Sequence, residues 1–240
     1  MRHIPLAAAA RSTRKLSRTF WILILGMLAI GAETLFEYPF AKGADSSNIF
    51  RGSSMPASGV VVKVLDGDTV ILEGGLKVRY MGIDTPEMDH ETGRHDCYAV
   101  EAHQRNQTLV LGRSVRLSYD VVKKDNHGRI LAYVTTSDGV CVNGELLRGG
   151  FGYVSRGPEG FSRFEEFLGL QRQAVLERRG LHGNCLVRED SSYLGNTRSY
   201  IFHRLSCLYG TKTHPQSRIS FSSRWEALLK GYRPCRQCQP

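Results

Sequence analysis

Two acidic tetrapeptides stand 18 positions apart, Asp66-Gly67-Asp68-Thr69 and Asp84-Thr85-Pro86-Glu87. Pro86 disfavours helix at Thr85, so the second motif is expected in an extended loop at a strand end. If that loop returns beside the first motif, Asp68, Asp84 and the Thr85 carbonyl offer hard oxygen ligands to Ca²⁺ or a similar ion. Arg79 lies five residues before Asp84, and Arg129 follows Asp125-Asn126-His127-Gly128. Guanidinium groups suit phosphate because their planar donors bind two oxygens at once. A cation on carboxylates, a spare carboxylate and two arginines are the parts that phosphodiester hydrolysis needs: charge neutralisation, a base for water, and donors for the developing pentacoordinate charge. Taken singly, Asp66-Gly67 also fits a plain turn, the second motif a solvated loop, and each arginine a surface salt bridge. Arg79 falls on the face of an extended strand opposite Asp84 unless the strand bends.

A second constellation is His203-x3-Cys207 with Cys235-x2-Cys238. Four soft or borderline ligands in two close pairs fit a tetrahedral structural Zn²⁺ site with no open position for catalysis. Disulfides among these three cysteines would leave one unpaired. A segment this short has little core of its own, so metal binding is expected to supply much of its folding free energy.

The elements that must position these groups read as mainly β with helices, an α+β class. Val60 to Val64, Thr69 to Leu72 and residues 76–83 are three short strands separated by Asp66-Gly67 and Gly74-Gly75, and residues 115–121 and 130–135 are two more. Helices are expected over 98–111, 142–147 and 161–179, the last stopped by Gly180. Five strands with about three helices in this length fit a small closed barrel better than a parallel α/β sheet.

The chain has 240 residues, 41% of them hydrophobic, and a net charge of +9, a globular composition with a basic balance that suits an anionic partner. The charge is uneven: residues 1–44 carry +4, residues 45–192 carry −2 and residues 193–240 carry +7. The first block has Arg11, Arg14, Lys15 and Arg18 before 13 uncharged residues, 20–32. That is the layout of a secretory signal peptide or, if uncleaved, an N-terminal membrane anchor, either of which places the remainder outside the cytoplasm; a buried helix of the main domain is the third reading of the same run. Residues 45–57 and 186–196 read as linkers around a domain at 58–185 and a module at 197–240.

The ordered motifs Val64-Leu65-Asp66-Gly67-Asp68-Thr69-Val70, Val78-Arg79-Tyr80-Met81-Gly82-Ile83-Asp84-Thr85-Pro86-Glu87, Cys97-Tyr98-Ala99-Val100-Glu101-Ala102 and His127-Gly128-Arg129-Ile130-Leu131-Ala132-Tyr133 resemble the staphylococcal nuclease (thermonuclease) family. The resemblance continues to Gly180-Leu181-His182-Gly183-Asn184-Cys185. It implies an OB-type barrel and Ca²⁺-dependent hydrolysis of DNA and RNA to 3′-phosphate ends. By the same resemblance Asp68, Asp84 and the Thr85 carbonyl are the calcium ligands, Glu87 the general base, and Arg79 and Arg129 the phosphate-binding arginines. It also implies a disulfide between Cys97 and Cys185; Cys141, on an apolar stretch with Val140 and Val142, reads as a core thiol. The family's tyrosine beside the second arginine is His127 here, and its later tyrosine-rich stretch reads Val154-Ser155-Arg156-Gly157-Pro158. Base stacking contributes about 1–3 kcal/mol per base, so base affinity and preference do not carry over with the chemistry.

Residues 197–240 resemble the zinc-binding module of Ada-type DNA-repair proteins through Phe202-His203-Arg204-Leu205-Ser206-Cys207 and Gly231-Tyr232-Arg233-Pro234-Cys235-Arg236-Gln237-Cys238. The methyl-accepting cysteine of that module is His203 here, so the resemblance implies zinc binding and nucleic-acid contact without methyl transfer. The expectations are therefore an extracytoplasmic nuclease acting on DNA or RNA, without a protein partner, whose module assists binding. Removing residues 193–240 should then weaken binding and leave cleavage chemistry in place. The reading from another class is a non-catalytic nucleic-acid-binding protein at the cell surface or in the periplasm.

Overall fold

The computed structural model describes residues 55–240, so the expected signal or anchor at 1–44 and most of the 45–57 linker lie outside the described residues. No helix among the described residues is long and apolar enough to cross a membrane.

Strands β1 (Ser58–Val64), β2 (Thr69–Leu72) and β3 (Lys77–Tyr80) form the expected antiparallel meander. With β5 (Ser114–Ser118) and β6 (Ile130–Thr136) they close a barrel in the order β1-β2-β3-β6-β5. Closure leaves no unpaired edge in the barrel. A register shift between Val61 and Lys63 bends β1, which pairs with both β2 and β5. Alternation of side chains sends Val61, Val70, Val78, Ala132 and Val134 inward, where all are fully buried.

The third strand does not run through residues 76–83 as the apolar pattern suggested. It stops at Tyr80, and β4 (Ile83–Asp84) leaves the barrel to pair with β7 (Tyr153–Val154). Gly82 sits at the break with φ +78°, and a Cβ there would lie 2.6 Å from the Phe161 ring, so both backbone and space demand glycine. Helix α2 (Val142–Arg148) fixes the bend: Asn143 donates from Nδ2 to the Met81 carbonyl at 2.9 Å and accepts from the Val134 amide at 2.9 Å. Helix α1 (Ala99–Val110) buries Ala99, Ala102, Asn106 and Val110, one helical face. From that face Asn106 accepts from the Tyr80 hydroxyl at 2.8 Å and donates to the Asp66 carbonyl at 3.0 Å, clamping the β1–β2 loop. Helix α3 (Phe164–Leu176) is shorter than the 161–179 pattern, and a short α4 (Leu181–Asn184) follows. Cys97 and Cys185 are joined by a disulfide.

Residues 193–196, expected in a linker, are instead β8 (Tyr193–Asn196) of a second sheet with β9 (Ile201–Arg204), β10 (Arg218–Phe221) and β11 (Arg233–Pro234), in the order β10-β8-β9-β11. Helices α5 (Leu208–Thr211) and α6 (Arg224–Leu229) complete it, so three short helices join the three that were expected. Ser223 caps α6, accepting from the Glu226 amide at 3.1 Å, while Glu226 accepts from the Ser222 amide. Contrary to expectation the segment has its own core: Tyr193, Phe202, Phe221, Ala227, Leu228 and Tyr232 pack together and against Val175 of α3. Buried Gln171 ties it to the barrel side, donating to the Leu228 carbonyl and accepting from the Val154 amide, each at 2.6 Å. Arg156, in the stretch where the family carries tyrosines, is inserted between the rings of Phe164 and Tyr200 at 4.8 and 4.5 Å. That stretch therefore serves docking of the second sheet.

His182 on α4 is buried against the Tyr153 ring, and neither ring nitrogen has a hydrogen-bond partner among the described residues. Burial, reinforced by the Arg224 charge, lowers its pKa to about 3. The unfolded chain binds the proton at its ordinary value of 6.5, so the unfolded state holds more protons between these values. Stability is therefore complete above 6.5 and falls with acidification, by up to about 1.4 kcal/mol per pH unit. Urea unfolding at pH 7.5, 6 and 5 should show this slope, and His182→Leu should flatten it; an unchanged slope in the variant would assign the dependence elsewhere.

Candidate functional site

The acidic cluster is built where the β1–β2 loop meets the end of β4. The Leu65 amide donates to the Thr69 carbonyl at 2.9 Å and the Asp68 amide to Asp66 Oδ1 at 2.9 Å, a tight loop that turns the Asp68 side chain inward. Asp68 is 1% exposed, and its carboxylate accepts from the Thr69 hydroxyl at 3.0 Å and the Thr85 amide at 2.8 Å. The two acidic motifs are thus in direct contact.

Arg79 joins them. The break after Tyr80 resolves the facing problem: Nη2 of Arg79 lies 2.7 Å from Asp84 Oδ1, and Nη1 contacts Asp68 Oδ1. One guanidinium spans both buried carboxylates, the geometry of a charge-assisted fork. Burial pushes the Asp84 carboxyl up, but the guanidiniums of Arg233, Arg79 and Arg236 together hold it below the usual carboxylate range. Asp66, in the turn of the β1–β2 loop, has its carboxyl pushed up by burial against the opposing charge of Arg79.

Glu87 stands at the solvent edge, its side chain 46% exposed. Its backbone is held by Asp96, which accepts from the Glu87 amide at 3.0 Å and donates its own amide to the Glu87 carbonyl at 3.1 Å. Asp96 also accepts from Gln239 Nε2 at 3.0 Å. Arg129 does not touch Asp68, Asp84 or Glu87. Asp125 holds it, accepting from Nε at 2.6 Å, and it shares with Arg79 a cleft of about 510 Å³ that Arg156 also lines. His127 is exposed on the same loop. Asp84 and Thr85 line a second cleft of about 390 Å³ whose other wall is the Cys97–Cys185 region and Arg236.

Sequence reasoning gave Arg233 and Arg236 no place beyond the basic charge of residues 193–240 and missed their pairing with the acidic cluster. Nη2 of Arg236 lies 2.5 Å from Asp84 Oδ1 while Nη1 contacts Glu87 Oε1, and Nη1 of Arg233 is 3.4 Å from Asp84 Oδ2. No spacing signal joins positions 84 and 236; only the docking of the second sheet does. Beside Arg236, the ligand atoms of His203, Cys207, Cys235 and Cys238 all lie within 4.8 Å of one another, a group fit to hold a metal ion. Cys141 is half-buried against the barrel core, and Arg163 Nη1 donates to its sulfur at 3.1 Å.

The five-stranded OB-type barrel with a carboxylate–arginine cluster at its β1–β2 loop is, by the family and relatives it matches, that of a nuclease, a hydrolase. The chain belongs to the staphylococcal nuclease family, whose "Staphylococcal nuclease homologue" description matches residues 77–184. It is 34% identical over 128 residues to a thermonuclease of Staphylococcus intermedius, covering 50% of this chain and 71% of that one. It is 32% identical over 126 residues to an uncharacterized endonuclease of Escherichia coli, covering 51% of this chain and 75% of that one. Similarity to the endonuclease YhcR of Bacillus subtilis, 32% over 207 residues, covers 76% of this chain and 17% of that one.

Proposed function

We propose that this chain is an extracytoplasmic, Ca²⁺-dependent nuclease that hydrolyses DNA and RNA phosphodiester bonds to 3′-phosphate ends, with a zinc module at 197–240 that assists nucleic-acid binding. The observation that carries this reading is the pair of buried carboxylates spanned by one guanidinium, Asp68 and Asp84 on Arg79. A site that holds a cation between two carboxylates has the donor chemistry for a calcium ion, with the Thr85 carbonyl as a third ligand. Bound there, Ca²⁺ would supply positive charge at the phosphoryl oxygens. Glu87, at the exposed rim, takes a proton from the attacking water. The water oxygen bonds to phosphorus, the bond from phosphorus to the 5′ oxygen breaks, and that oxygen takes a proton from solvent. Arg79 and Arg129, which share one cleft, bind the phosphoryl oxygens and stabilise the pentacoordinate charge.

The zinc assignment rests on the chemistry of the donor set, three thiols and one imidazole within 4.8 Å, the preference of tetrahedral Zn²⁺. The extracytoplasmic location and the signal or anchor at 1–44 are supported by the basic-then-apolar order of residues 11–32 together with the Cys97–Cys185 disulfide. The binding-only reading has no observation in its favour, since every carboxylate and arginine that the chemistry needs is present.

Plasmid DNA incubated with the full chain separates the two. Cleavage is expected with Ca²⁺, none with chelator, and none with Asp84→Asn, which keeps the volume of a buried side chain and removes its charge. No cleavage in any lane would leave a binding protein.

A further inference from the structure

We propose that Arg236 is a third phosphate-binding catalytic residue, carried into the nuclease site by the cysteine–histidine module. This rests on the reading of Asp84 and Glu87 given above. Arg236 lies between Cys235 and Cys238, in a turn whose backbone is fixed on both sides. The Cys235 amide donates to the Phe202 carbonyl at 2.9 Å and the Gln239 amide to the Cys235 carbonyl at 2.9 Å. Any metal on the four ligand atoms would lock that turn further. From it the guanidinium crosses to the barrel side and bridges Asp84 and Glu87.

Its posture matches that of Arg79, which likewise forks two carboxylates of the cluster. A guanidinium that pairs with carboxylates has the same planar donor pattern that pairs with a phosphodiester. Charge counting favours exchange of one partner for the other. Asp68, Asp84 and Glu87 face Arg79, Arg233 and Arg236, three negative charges against three positive. A divalent cation on the carboxylates leaves two surplus positive charges, which favour an anionic phosphodiester, and when Glu87 takes the proton of the attacking water the surplus rises to three as the pentacoordinate phosphorus gains its second negative charge. Exposure selects Arg236 for this part: its side chain is 46% exposed, against 22% for Arg233 and 14% for Arg79, so it lies at the edge from which a nucleic acid must approach. It alone of the three also touches Glu87, beside which the attacked phosphorus must sit. The module would then serve the chemistry as well as binding, against the expectation that loss of residues 193–240 leaves cleavage intact.

Two measurements on Arg236→Ala and Arg236→Lys in the full chain test this: Ca²⁺ affinity by calorimetry without nucleic acid, and single-turnover cleavage at saturating Ca²⁺ and DNA. Arg236→Ala should bind Ca²⁺ several-fold more tightly, because a competing cation has gone, and should cleave about 100-fold more slowly, the usual effect of losing one transition-state donor. Arg236→Lys keeps the charge without the fork and should recover only part of the rate. Native mass confirms that the module's metal is retained; if the alanine variant loses it, the lysine variant carries the test. An undiminished single-turnover rate would overturn the proposal, and a faster one at low Ca²⁺ would make Arg236 an inhibitory plug. A slower rate with weaker Ca²⁺ binding would also overturn it and leave Arg236 a structural brace. Asp84→Asn run in parallel separates the levels: if that variant still cleaves, the site itself is misread, whatever Arg236 does.

Discussion

Glu87→Gln is expected to lower the single-turnover rate by about 1,000-fold, within the range that a positioned general base contributes. The substitution is close to isosteric, and at a side chain 46% exposed it should leave stability within about 0.5 kcal/mol of the parent. The amide oxygen of the substituted side chain would still accept from Arg236, and the Glu87 backbone contacts to Asp96 do not involve the side chain that changes. What disappears is proton affinity at the one carboxylate of the cluster that stands at the rim. Calcium affinity, which the proposed function assigns to Asp68 and Asp84, should stay within a few-fold. Rates from rapid-quench cleavage, set beside a calcium titration of the same variant, make the comparison. Turnover equal to the parent would remove Glu87 from the mechanism, and loss of calcium binding would make it a ligand.

Replacing Cys97 and Cys185 together by serine should cost about 4 kcal/mol, because the bridge closes a loop across 88 residues of the unfolded chain. That is a large share of the 5–15 kcal/mol by which folded domains are stable. The bridge also sits one residue from Asp96, the clamp on the Glu87 backbone, so its removal acts on the site as well as on the fold. Denaturant midpoints of the parent, the double variant and the reduced parent measure the first effect. Cleavage well below the unfolding midpoint measures the second, which should be a loss of rate with DNA affinity retained. A midpoint shift worth less than about 1 kcal/mol would mean that the unfolded chain already keeps residues 97 and 185 close.

The barrel was legible because its strands are β-branched runs bounded by Asp66-Gly67 and Gly74-Gly75, and local propensity agreed with the tertiary outcome. The acidic motifs were legible because the chemistry needs those residue types in that order. The bend after Tyr80 was not, since residues 76–83 are continuously strand-like and only the Phe161 ring beside Gly82 makes the turn obligatory. The linker at 186–196 hid β8, whose pairing partners Ile201–Arg204 and Arg218–Phe221 are polar enough to read as loop when no sheet is assumed. His182 gave no sign of its burial. Arg233 and Arg236 read as beads of a basic surface because charge alone does not say which distant carboxylate it will meet.

The ion pair between Asp84 and Arg236 joins positions 152 residues apart, whereas Arg79 reaches Asp84 across five. Contacts of such different span do not form together: the local meander and its arginine fork can assemble early, while the distant pair must wait for the second sheet to fold and dock. If the barrel closes before the second sheet docks, the acidic cluster is first short of cations and balanced only once Arg233 and Arg236 arrive. A folding intermediate with a closed barrel and an undocked module would expose Asp84 and Glu87 as an electronegative mouth. Loose cations would populate it before Arg236 arrives, so the kinetics of module docking should depend on the salt in which the chain folds.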